Sequence, residues 1–294
     1  MWAKFKRFII KVYEYMNKPE MLTLPPSLAY YFIIAIVPVI SILLIIASNL
    51  SLSTNYIRAF FEQNFSSEVA NFLTPMITNQ GMNIGFIIYI AVAFFIVSNG
   101  ADAIIIASNM IFNINNKSYL KRRPKAFALT VVLFLILTFM LIVPVFGSQI
   151  IDILKGIGFN NAFVQTLELF YPILNLPLTL FMIYISIKWI YVIAPDEHIK
   201  GSYVTKGALF TTVGWFLTTI IYSYYVKNLA TYNLYYAGLS SIIMLMVWFY
   251  MLAFIFVIGL SMNYQIAEKQ IEKTNAIKLK EIEEKVKASK SGLQ

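Results

Sequence analysis

Six long apolar runs constrain this chain more than any other feature. They lie at about residues 27–49, 84–108, 126–149, 169–194, 205–226 and 238–262. Each holds roughly the 20 residues that an α-helix needs to cross about 30 Å of hydrocarbon. Only helices and closed barrels satisfy their backbone hydrogen bonds in lipid, and unbroken runs of this length favour helices. We therefore predict an all-α fold, a polytopic membrane helix bundle with about six transmembrane helices.

The composition agrees with a membrane protein. Apolar residues make up 59% of the chain and charged residues 13%, and the mean hydropathy is +0.72. A soluble domain is nearer half apolar and a quarter charged. The chain has no cysteine, which excludes disulfides, thiolate metal sites and cysteine nucleophiles.

Lysine and arginine are distributed unevenly between the predicted connections. Five precede residue 20, five lie between residues 117 and 125, two lie at positions 200 and 206, and seven follow residue 268. The alternate connections carry Arg58, Lys155 and Lys227, and Lys188 lies inside a run. Because basic loops are retained on the cytoplasmic side, this distribution predicts that the N- and C-termini are both cytoplasmic.

Three segments lie outside the apolar runs: residues 2–16, residues 57–76 and a tail of alternating acids and lysines from Glu268. Residues 2–16 place apolar and basic side chains on opposite helical faces, which predicts an amphipathic helix at the inner membrane interface. Residues 57–76 repeat apolar positions at three and four, which predicts a second amphipathic helix on the outer side. We divide the chain into an interfacial helix at 1–20, a six-span membrane domain at 21–265 and a charged cytoplasmic helical tail at 266–294.

The formal net charge of +9 has two explanations. Basic proteins bind nucleic acid by neutralising phosphates, but here the positive charges follow the predicted topology. Each basic residue near the inner surface would contribute about 1 kcal/mol of attraction to anionic lipid. We expect membrane lipids as partners, with anionic headgroups on the cytoplasmic side, and no nucleic acid.

Several short motifs resemble the YihY/BrkB family of bacterial inner-membrane proteins. They occur in the family's order along nearly the whole chain: Leu28 to Phe32 with Val37-Pro38, Asp102 to Asn109, Arg123-Pro124, Ala194-Pro195-Asp196, Lys206-Gly207-Ala208, and Tyr236 to Leu239 through Trp248-Phe249-Tyr250 to Gly259 and Asn263. The resemblance implies a multi-pass protein of the bacterial cytoplasmic membrane.

The same resemblance says less about function. Family members are described as transporters of unsettled substrate, with lipids or lipid-linked precursors suspected for some, and an early ribonuclease attribution is considered mistaken. Members often carry an acidic residue shortly after the closing glycine, whereas this chain reads Gly259-Leu260-Ser261-Met262-Asn263. Any role of that acid does not transfer to this chain.

Signatures of familiar enzymes are missing from the sequence. His198 is the only histidine and lies in a predicted loop, so a two-histidine zinc site cannot form. Asp102 is the only carboxylate within the predicted spans, whereas an aspartyl enzyme needs two. A phosphate-binding Gly-x-x-x-x-Gly-Lys-Ser/Thr loop is also missing. We predict no catalytic residues, no metal site, no cofactor and no enzymatic activity.

Two ionisable residues lie inside predicted spans, Asp102 and Lys188. Each lies about six residues from a predicted cytoplasmic helix end, or about 9 Å at 1.5 Å per residue. Since an intramembrane charge usually faces a partner or water, one hypothesis is that the two face each other across a polar cavity, with Ser98, Asn99 and Asn109 nearby. The alternatives are a structural ion pair between two helices, or a lysine that extends to the interface.

Small residues in the fifth run repeat at three and four residues, including Thr211, Gly214 and Thr218. Such a stripe lets helices approach closely, either for packing, which we favour, or along a transport pathway. Prolines within the runs, of which Pro38 is the first, remove a backbone donor and can kink a helix.

These features favour a transporter or translocase of a lipid or other amphipathic substrate. The alternative from another class is a non-transporting membrane scaffold that binds partner proteins or lipids through its tail, which deletion of residues 268–294 would test. A ribonuclease is a third interpretation, disfavoured because no metal-ligand cluster is visible. A homo-oligomer is also possible, since the small-residue stripe can face a second copy as well as a neighbouring helix.

Overall fold

The protein is a bundle of long helices. The computed structural model describes residues 10, 16–49, 62, 84–156, 158, 160–228 and 243–268, and these residues contain no strand. The six long helices of this part of the chain are α1 (Glu20–Asn49), α2 (Ile84–Ile111), α3 (Tyr119–Gly156), α4 (Asn161–Ile193), α5 (Thr205–Asn228) and α6 (Ile243–Glu268). The predicted all-α membrane bundle is confirmed.

Successive helices run in opposite directions. α1 packs on α2, α2 on α3, α3 on α4 and α4 on α5, while α6 packs on α5 through hydrogen bonds and close glycine contacts. The start of α1, α3 and α5 and the end of α2, α4 and α6 lie at one end of the bundle, which we call the inner end. It is the end that the charge distribution predicts to be cytoplasmic.

Alanines and larger apolar side chains fill the interior together, and further large apolar side chains cover the outside. Ala107, Ala126, Ala194, Ala208 and Ala253 are fully buried. Large residues face outwards on every helix, among them Leu22, Ile88, Leu135, Ile173, Ile221 and Ile243. Helices in lipid associate through close packing rather than through a hydrophobic driving force. The apolar outer surface is the one that a bilayer requires.

Local hydrogen bonds set the end of α2 and the start of α4. Asn113 adopts a left-handed φ of 55° after α2, and the N–H of Ile114 donates to the carbonyl of Asn109 at 2.8 Å, as at many helix C-termini. The chain then reverses within a few residues into α3. At the opposite end, Asn160 Oδ1 caps α4 by accepting from the N–H groups of Ala162 and Phe163.

The described helices match the six predicted runs, although several are longer. α3 has 38 residues and α4 has 33, so both exceed the 20 or so that a bilayer needs. Three segments of the described residues are long and apolar enough by themselves to cross a membrane: Ala91–Ile111, Ile173–Ile193 and Ile243–Glu268. The total of six spans and the side of the termini stay predictions.

Some predicted elements lie outside the described residues. These are most of the interfacial helix at 1–20, the amphipathic helix at 57–76 and the tail from residue 269. The predicted boundary between membrane domain and tail, at residue 265, falls inside α6, which continues to Glu268.

Candidate functional site

A buried ion pair joins α2 to α3 at the inner end. Arg122 Nε and Nη2 donate to Oδ1 and Oδ2 of Asp102 at 2.5 and 3.0 Å, and both residues are more than nine-tenths buried. Arg122 Nη1 also donates to the carbonyl of Lys117 at 2.8 Å. A guanidinium matches a carboxylate well in this two-bond geometry. The charge of Asp102 is therefore neutralised within the protein.

Lys188 does not pair with Asp102, so that prediction is wrong. The ammonium of Lys188 lies 5.8 Å from the ring centroid of Tyr184, and its side chain extends towards Gly201 in the connection after α4. Arg122 binds the carboxylate because it lies on the neighbouring helix of the α2–α3 hairpin and offers two parallel donors, where a lysine offers a point charge.

Arg123 binds the polar patch that was predicted around Asp102. Its Nη1 donates to Asn99 Oδ1 at 2.9 Å, and its Nη2 donates to Ser98 Oγ at 2.8 Å. The guanidinium carbon lies 4.3 and 4.8 Å from the ring centroids of Phe95 and Phe127, which are cation–π distances. Ser98 Oγ and Asn99 Oδ1, on the same part of α2 as Asp102, thus accept hydrogen bonds from one arginine.

Asn109 belongs to a second network, centred on Asp196 in the α4–α5 connection. Its Oδ1 accepts the N–H of Asp196 at 2.8 Å, and its Nδ2 donates to Asp196 Oδ2 at 3.0 Å. Lys125 Nζ donates to Asp196 Oδ1 at 2.9 Å and to the carbonyls of Ala194 and Pro195 at the end of α4. The network ties the ends of α2 and α4 to the start of α3.

The pKa of Asp196 reflects two opposing effects. Burial raises the pKa, but hydrogen bonds from Lys125 and Asn109 and the positive charges of Lys125 and Lys117 outweigh it, so the pKa lies below its ordinary value. Asp196 is consequently a carboxylate at neutral pH and holds its cationic partners in place.

A cavity of about 260 Å³ lies between α1 and α2 at the inner end, and we call it the inner polar cavity. Its walls combine hydroxyl, amide and carboxylate side chains with a few apolar ones: Ser27, Tyr31, Asn99, Asp102 and Tyr119, with Leu24, Leu28, Ala103 and Ile106. The inner polar cavity thus lies next to Asp102 and Asn99, and Lys188 is not part of its wall.

A second cavity, of about 270 Å³, lies deeper in the bundle, and we call it the central apolar cavity. All six long helices contribute to its walls, and every contributing side chain is apolar or aromatic: Phe32, Ala35, Val39, Val97, Gly100, Ala101, Ile104, Leu133, Phe134, Ile136, Ile190, Trp215, Phe249, Leu252 and Phe256. The indole N–H of Trp215 is already bonded to the carbonyl of Leu252 at 2.9 Å. An apolar wall of this kind suits an apolar guest.

The small-residue stripe of α5 packs against α6 and α4. A Cβ on Gly207 would overlap the carbonyl of Gly259, and one on Gly214 would lie 2.6 Å from Ile255 Cγ2. Thr211 Oγ1 lies 2.7 Å from the hydroxyl of Tyr191 on α4.

Two further residues were predicted to serve helix packing or a transport pathway. Thr218 is half-buried further along α5, and Pro38 is buried within α1 next to the cavity residue Val39. Neither lines one of the two cavities among the described residues. A pathway role for them stays a prediction.

Comparison with known families identifies the chain. The family model described as virulence factor BrkB matches residues 12–282, which is nearly the whole sequence. The chain belongs to the BrkB family. A ribonuclease-like protein of Bacillus subtilis (strain 168) is 29% identical over 243 residues, which cover 81% of this chain and 86% of that protein.

Further BrkB-family relatives carry names that describe location rather than activity. A UPF0761 membrane protein of Vibrio vulnificus is 23% identical over 269 residues, covering 90% of this chain and 83% of that protein. One from Mannheimia succiniciproducens is 22% identical over 276 residues, covering 88% and 89%. No solved structure matches the chain. With its apolar helices, this BrkB-family chain is a multi-pass protein of the bacterial inner membrane.

No site role was predicted from the sequence for four residues of the inner end: Arg122, Arg123, Lys125 and Asp196. The three cations were counted as loop charges that set the topology, whereas they lie on the first turns of α3 and bind partners on α2 and after α4. One signal was available. A buried aspartate close to a helix end needs a partner, and the connection that follows it is rich in arginine.

Proposed function

We propose that this BrkB-family protein is a transporter that moves a lipid or another amphipathic molecule across the membrane. The observation that carries the proposal is the central apolar cavity, because all six long helices meet around it. Its walls offer no free polar group to a small ion, which would need oxygen or charged ligands to leave water. A hydrocarbon chain needs none.

The size of the cavity supports an apolar guest. An apolar cavity of about 150 Å³ is enough to bind benzene, and the central cavity measures about 270 Å³. It therefore has room for a segment of a lipid chain. The inner polar cavity lies on the other side of the α1–α2 contact and supplies polar groups for the other end of an amphipathic molecule.

The proposal includes no catalysis. Both carboxylate oxygens of Asp102, the acid predicted within a span, accept hydrogen bonds from Arg122. Within the described ranges, no group of three His, Asp or Glu side chains lies close enough to share a metal ion. The relative from Bacillus subtilis is named ribonuclease-like, so incubation of the purified protein with RNA and Mg²⁺ is the direct check. We expect intact RNA, and cleavage that follows the protein through purification would contradict the proposal.

Reconstitution into vesicles tests transport. Vesicles contain a trace of acyl-chain-labelled fluorescent phosphatidylglycerol, phosphatidylethanolamine or glucosyldiacylglycerol, and dithionite outside destroys the fluorescence of outer-leaflet lipid. Without transport about half of the fluorescence survives, because lipid in the inner leaflet is protected from dithionite. With the wild-type protein we expect this protected half to decay as well for at least one lipid. A wild-type protein that accelerates decay for no lipid would refute transport of these molecules.

A matched pair of variants links transport to the cavity. Gly100 lines the central apolar cavity on α2, and a Cβ there would be in ordinary contact with Tyr31. Gly100→Phe should fill the cavity and slow transport at least fivefold, with Gly100→Leu as a smaller version if the former does not fold. Val92→Phe, on the lipid-facing side of the same helix, should leave transport unchanged. Equal rates in all variants would exclude the cavity as the pathway.

A further inference from the structure

We propose that the inner polar cavity binds an uncharged, hydroxyl-rich part of a lipid headgroup, a glycerol or a sugar. This inference rests on the proposed function, since it names the class of molecule that the transporter would take. It follows from the charge, the hydrogen-bonding groups and the position of the cavity.

The position fits a headgroup. α1 presents Leu24, Leu28 and Tyr31 to the inner polar cavity and Phe32, Ala35 and Val39 to the central apolar cavity. α2 likewise presents Asn99 and Asp102 to the first and Gly100 and Ala101 to the second. The two cavities therefore flank one helix contact, where Gly100 approaches Tyr31. An amphipathic molecule at this contact has a polar wall on one flank and an apolar wall on the other.

The charges of the wall disfavour an ionic group inside the cavity, so the phosphate of a bound phospholipid would lie outside it. Among the described residues that line the cavity, Asp102 is the one ionised side chain, and Arg122 neutralises it with two hydrogen bonds. No lysine or arginine belongs to this wall, so a phosphate entering it would lose water without gaining a cation. An ammonium group would have to compete with Arg122 for the same carboxylate.

The hydrogen-bonding groups of the cavity wall suit a ligand with hydroxyl groups. Ser27, Tyr31 and Tyr119 each carry a hydroxyl that both donates and accepts, and the carboxylate oxygens of Asp102 have lone pairs left. Asn99 Oδ1 accepts from Arg123, which leaves its amide NH₂ as a donor. Hydroxyl groups can pair with such a mixed set at every position, whereas a phosphate can use only the donors.

The size of the inner polar cavity and the apolar part of its wall agree with a glycerol or a sugar unit as ligand. Drug-sized ligands occupy pockets of about 300–1,000 Å³, and this cavity has about 260 Å³. One glycerol or one sugar unit is the appropriate size. The rings of Tyr31 and Tyr119, with Leu24, Leu28 and Ile106, give the C–H groups of such a unit an apolar surface.

Binding of short-chain lipids tests the inference without requiring transport. Purified protein in detergent is titrated with dihexanoyl forms of glucosyldiacylglycerol, phosphatidylglycerol, phosphatidic acid and phosphatidylethanolamine, and tryptophan fluorescence reports binding. We expect the two hydroxyl-rich lipids, or one of them, to bind about tenfold more tightly than the other two, because only hydroxyl groups can pair with both the donors and the acceptors of the wall. Preference for the glucosyl lipid alone assigns a sugar, and preference for phosphatidylglycerol alone assigns a glycerol.

Two results would overturn the inference. Phosphatidic acid that binds as tightly as phosphatidylglycerol would show recognition of phosphate, and phosphatidylethanolamine as the tightest ligand would show recognition of an amine. The vesicle assay separates the two proposals. Selective binding without transport contradicts the transport function alone, whereas transport of all headgroups at one rate, without selective binding, contradicts the headgroup inference alone.

Variants of the cavity wall sharpen the test. Tyr31→Phe keeps the ring and removes a hydroxyl of the wall, so it should reduce the preference for hydroxyl-rich lipids about threefold to tenfold. Tyr30→Phe is the control, since its exposed ring lies next to Tyr31 and outside the cavity. An unchanged preference in Tyr31→Phe would count against the assignment. Asp102→Asn leaves Arg122 uncompensated and should raise the affinity for phosphatidic acid, and if this variant does not fold the tyrosine pair still decides.

Discussion

At the scale of single residues, the inner end depends on charges that are paired inside the protein. Asp102 with Arg122 joins α2 to α3, and Asp196 with Lys125 joins the α4–α5 connection to α3. A buried ion pair contributes little over a well-packed apolar pair, but removal of one partner leaves an uncompensated charge. The two pairs therefore make distinct predictions for substitutions.

Asp102→Asn should strongly destabilise the protein. We expect a loss of about 3–5 kcal/mol in the free energy of unfolding, because Arg122 would remain buried without a carboxylate. Titration with sodium dodecyl sulfate in mixed micelles, followed by circular dichroism, measures it. Asp102→Asn combined with Arg122→Gln should recover part of the loss.

The chain offers a matched control in the ion pair between Lys155 and Glu168. It joins the end of α3 to α4, and both side chains are more than two-fifths exposed. Glu168→Gln should change the free energy of unfolding by about 1 kcal/mol or less. Equal effects of Asp102→Asn and Glu168→Gln would contradict the account of Asp102 as a buried, structurally essential acid.

The lowered pKa of Asp196 predicts that the stability of the protein depends on pH. Its pKa is lower in the folded protein than in the unfolded chain, so its contribution is fully present above the unfolded value of about 3.9 and is lost as the pH falls through the folded value. The stability difference between wild type and Asp196→Asn should stay constant from about pH 7 to 5 and shrink below about pH 4. Thermal unfolding in detergent across this range measures it, and a difference that disappears already near pH 6 would contradict the assignment.

At the scale of elements, α5 and α6 approach each other closely at two glycines. Gly207 and Gly259 face each other, and Asn263 on α6 accepts the backbone N–H of Gly207 in the first turn of α5 at 2.9 Å. The free first-turn donor of one helix is thus satisfied by a side chain of its neighbour. A homo-oligomer stays a prediction, but α6 and α4 already cover Gly207, Thr211 and Gly214.

Gly207→Ala should separate α5 from α6. The added methyl group overlaps the Gly259 carbonyl, and backbone cannot rotate away as a side chain can. We expect a loss of about 1–3 kcal/mol or more in the free energy of unfolding. Gly156→Ala is the control, because nothing lies within 4 Å of a Cβ at the end of α3, and it should be neutral or slightly stabilising. Similar losses in both variants would exclude the close contact.

At the scale of the whole molecule, the membrane orientation is the main expectation still to be measured. The chain has no cysteine, so any introduced cysteine is a unique label. Gly156→Cys lies at the end opposite the inner end, and Ser202→Cys lies in the α4–α5 connection, and both positions are exposed. A membrane-impermeant maleimide added to intact cells should label Gly156→Cys and leave Ser202→Cys unlabelled until the cells are lysed. The reverse pattern would place the termini outside.

The sequence by itself determined the class of the protein. Long apolar runs impose helices in lipid because no other backbone arrangement satisfies its own hydrogen bonds there, and this argument needs no tertiary contact. The six described helices follow these runs, and the polar character around Asp102, Ser98 and Asn99 was visible in the same way. The family motifs also lie within the sequence itself.

Only the tertiary structure decided which partners these residues have. Asp102 has Lys188 at a matching predicted depth, but depth along a helix does not specify which face of the helix a side chain occupies. The short reversal after Asn113 brings the first turn of α3 beside α2, and Arg122 then reaches the carboxylate with two donors. The two cavities likewise depend on how helix faces from distant parts of the chain combine. Hydropathy indicates which segments lie in the membrane, whereas packing decides which residues are neighbours.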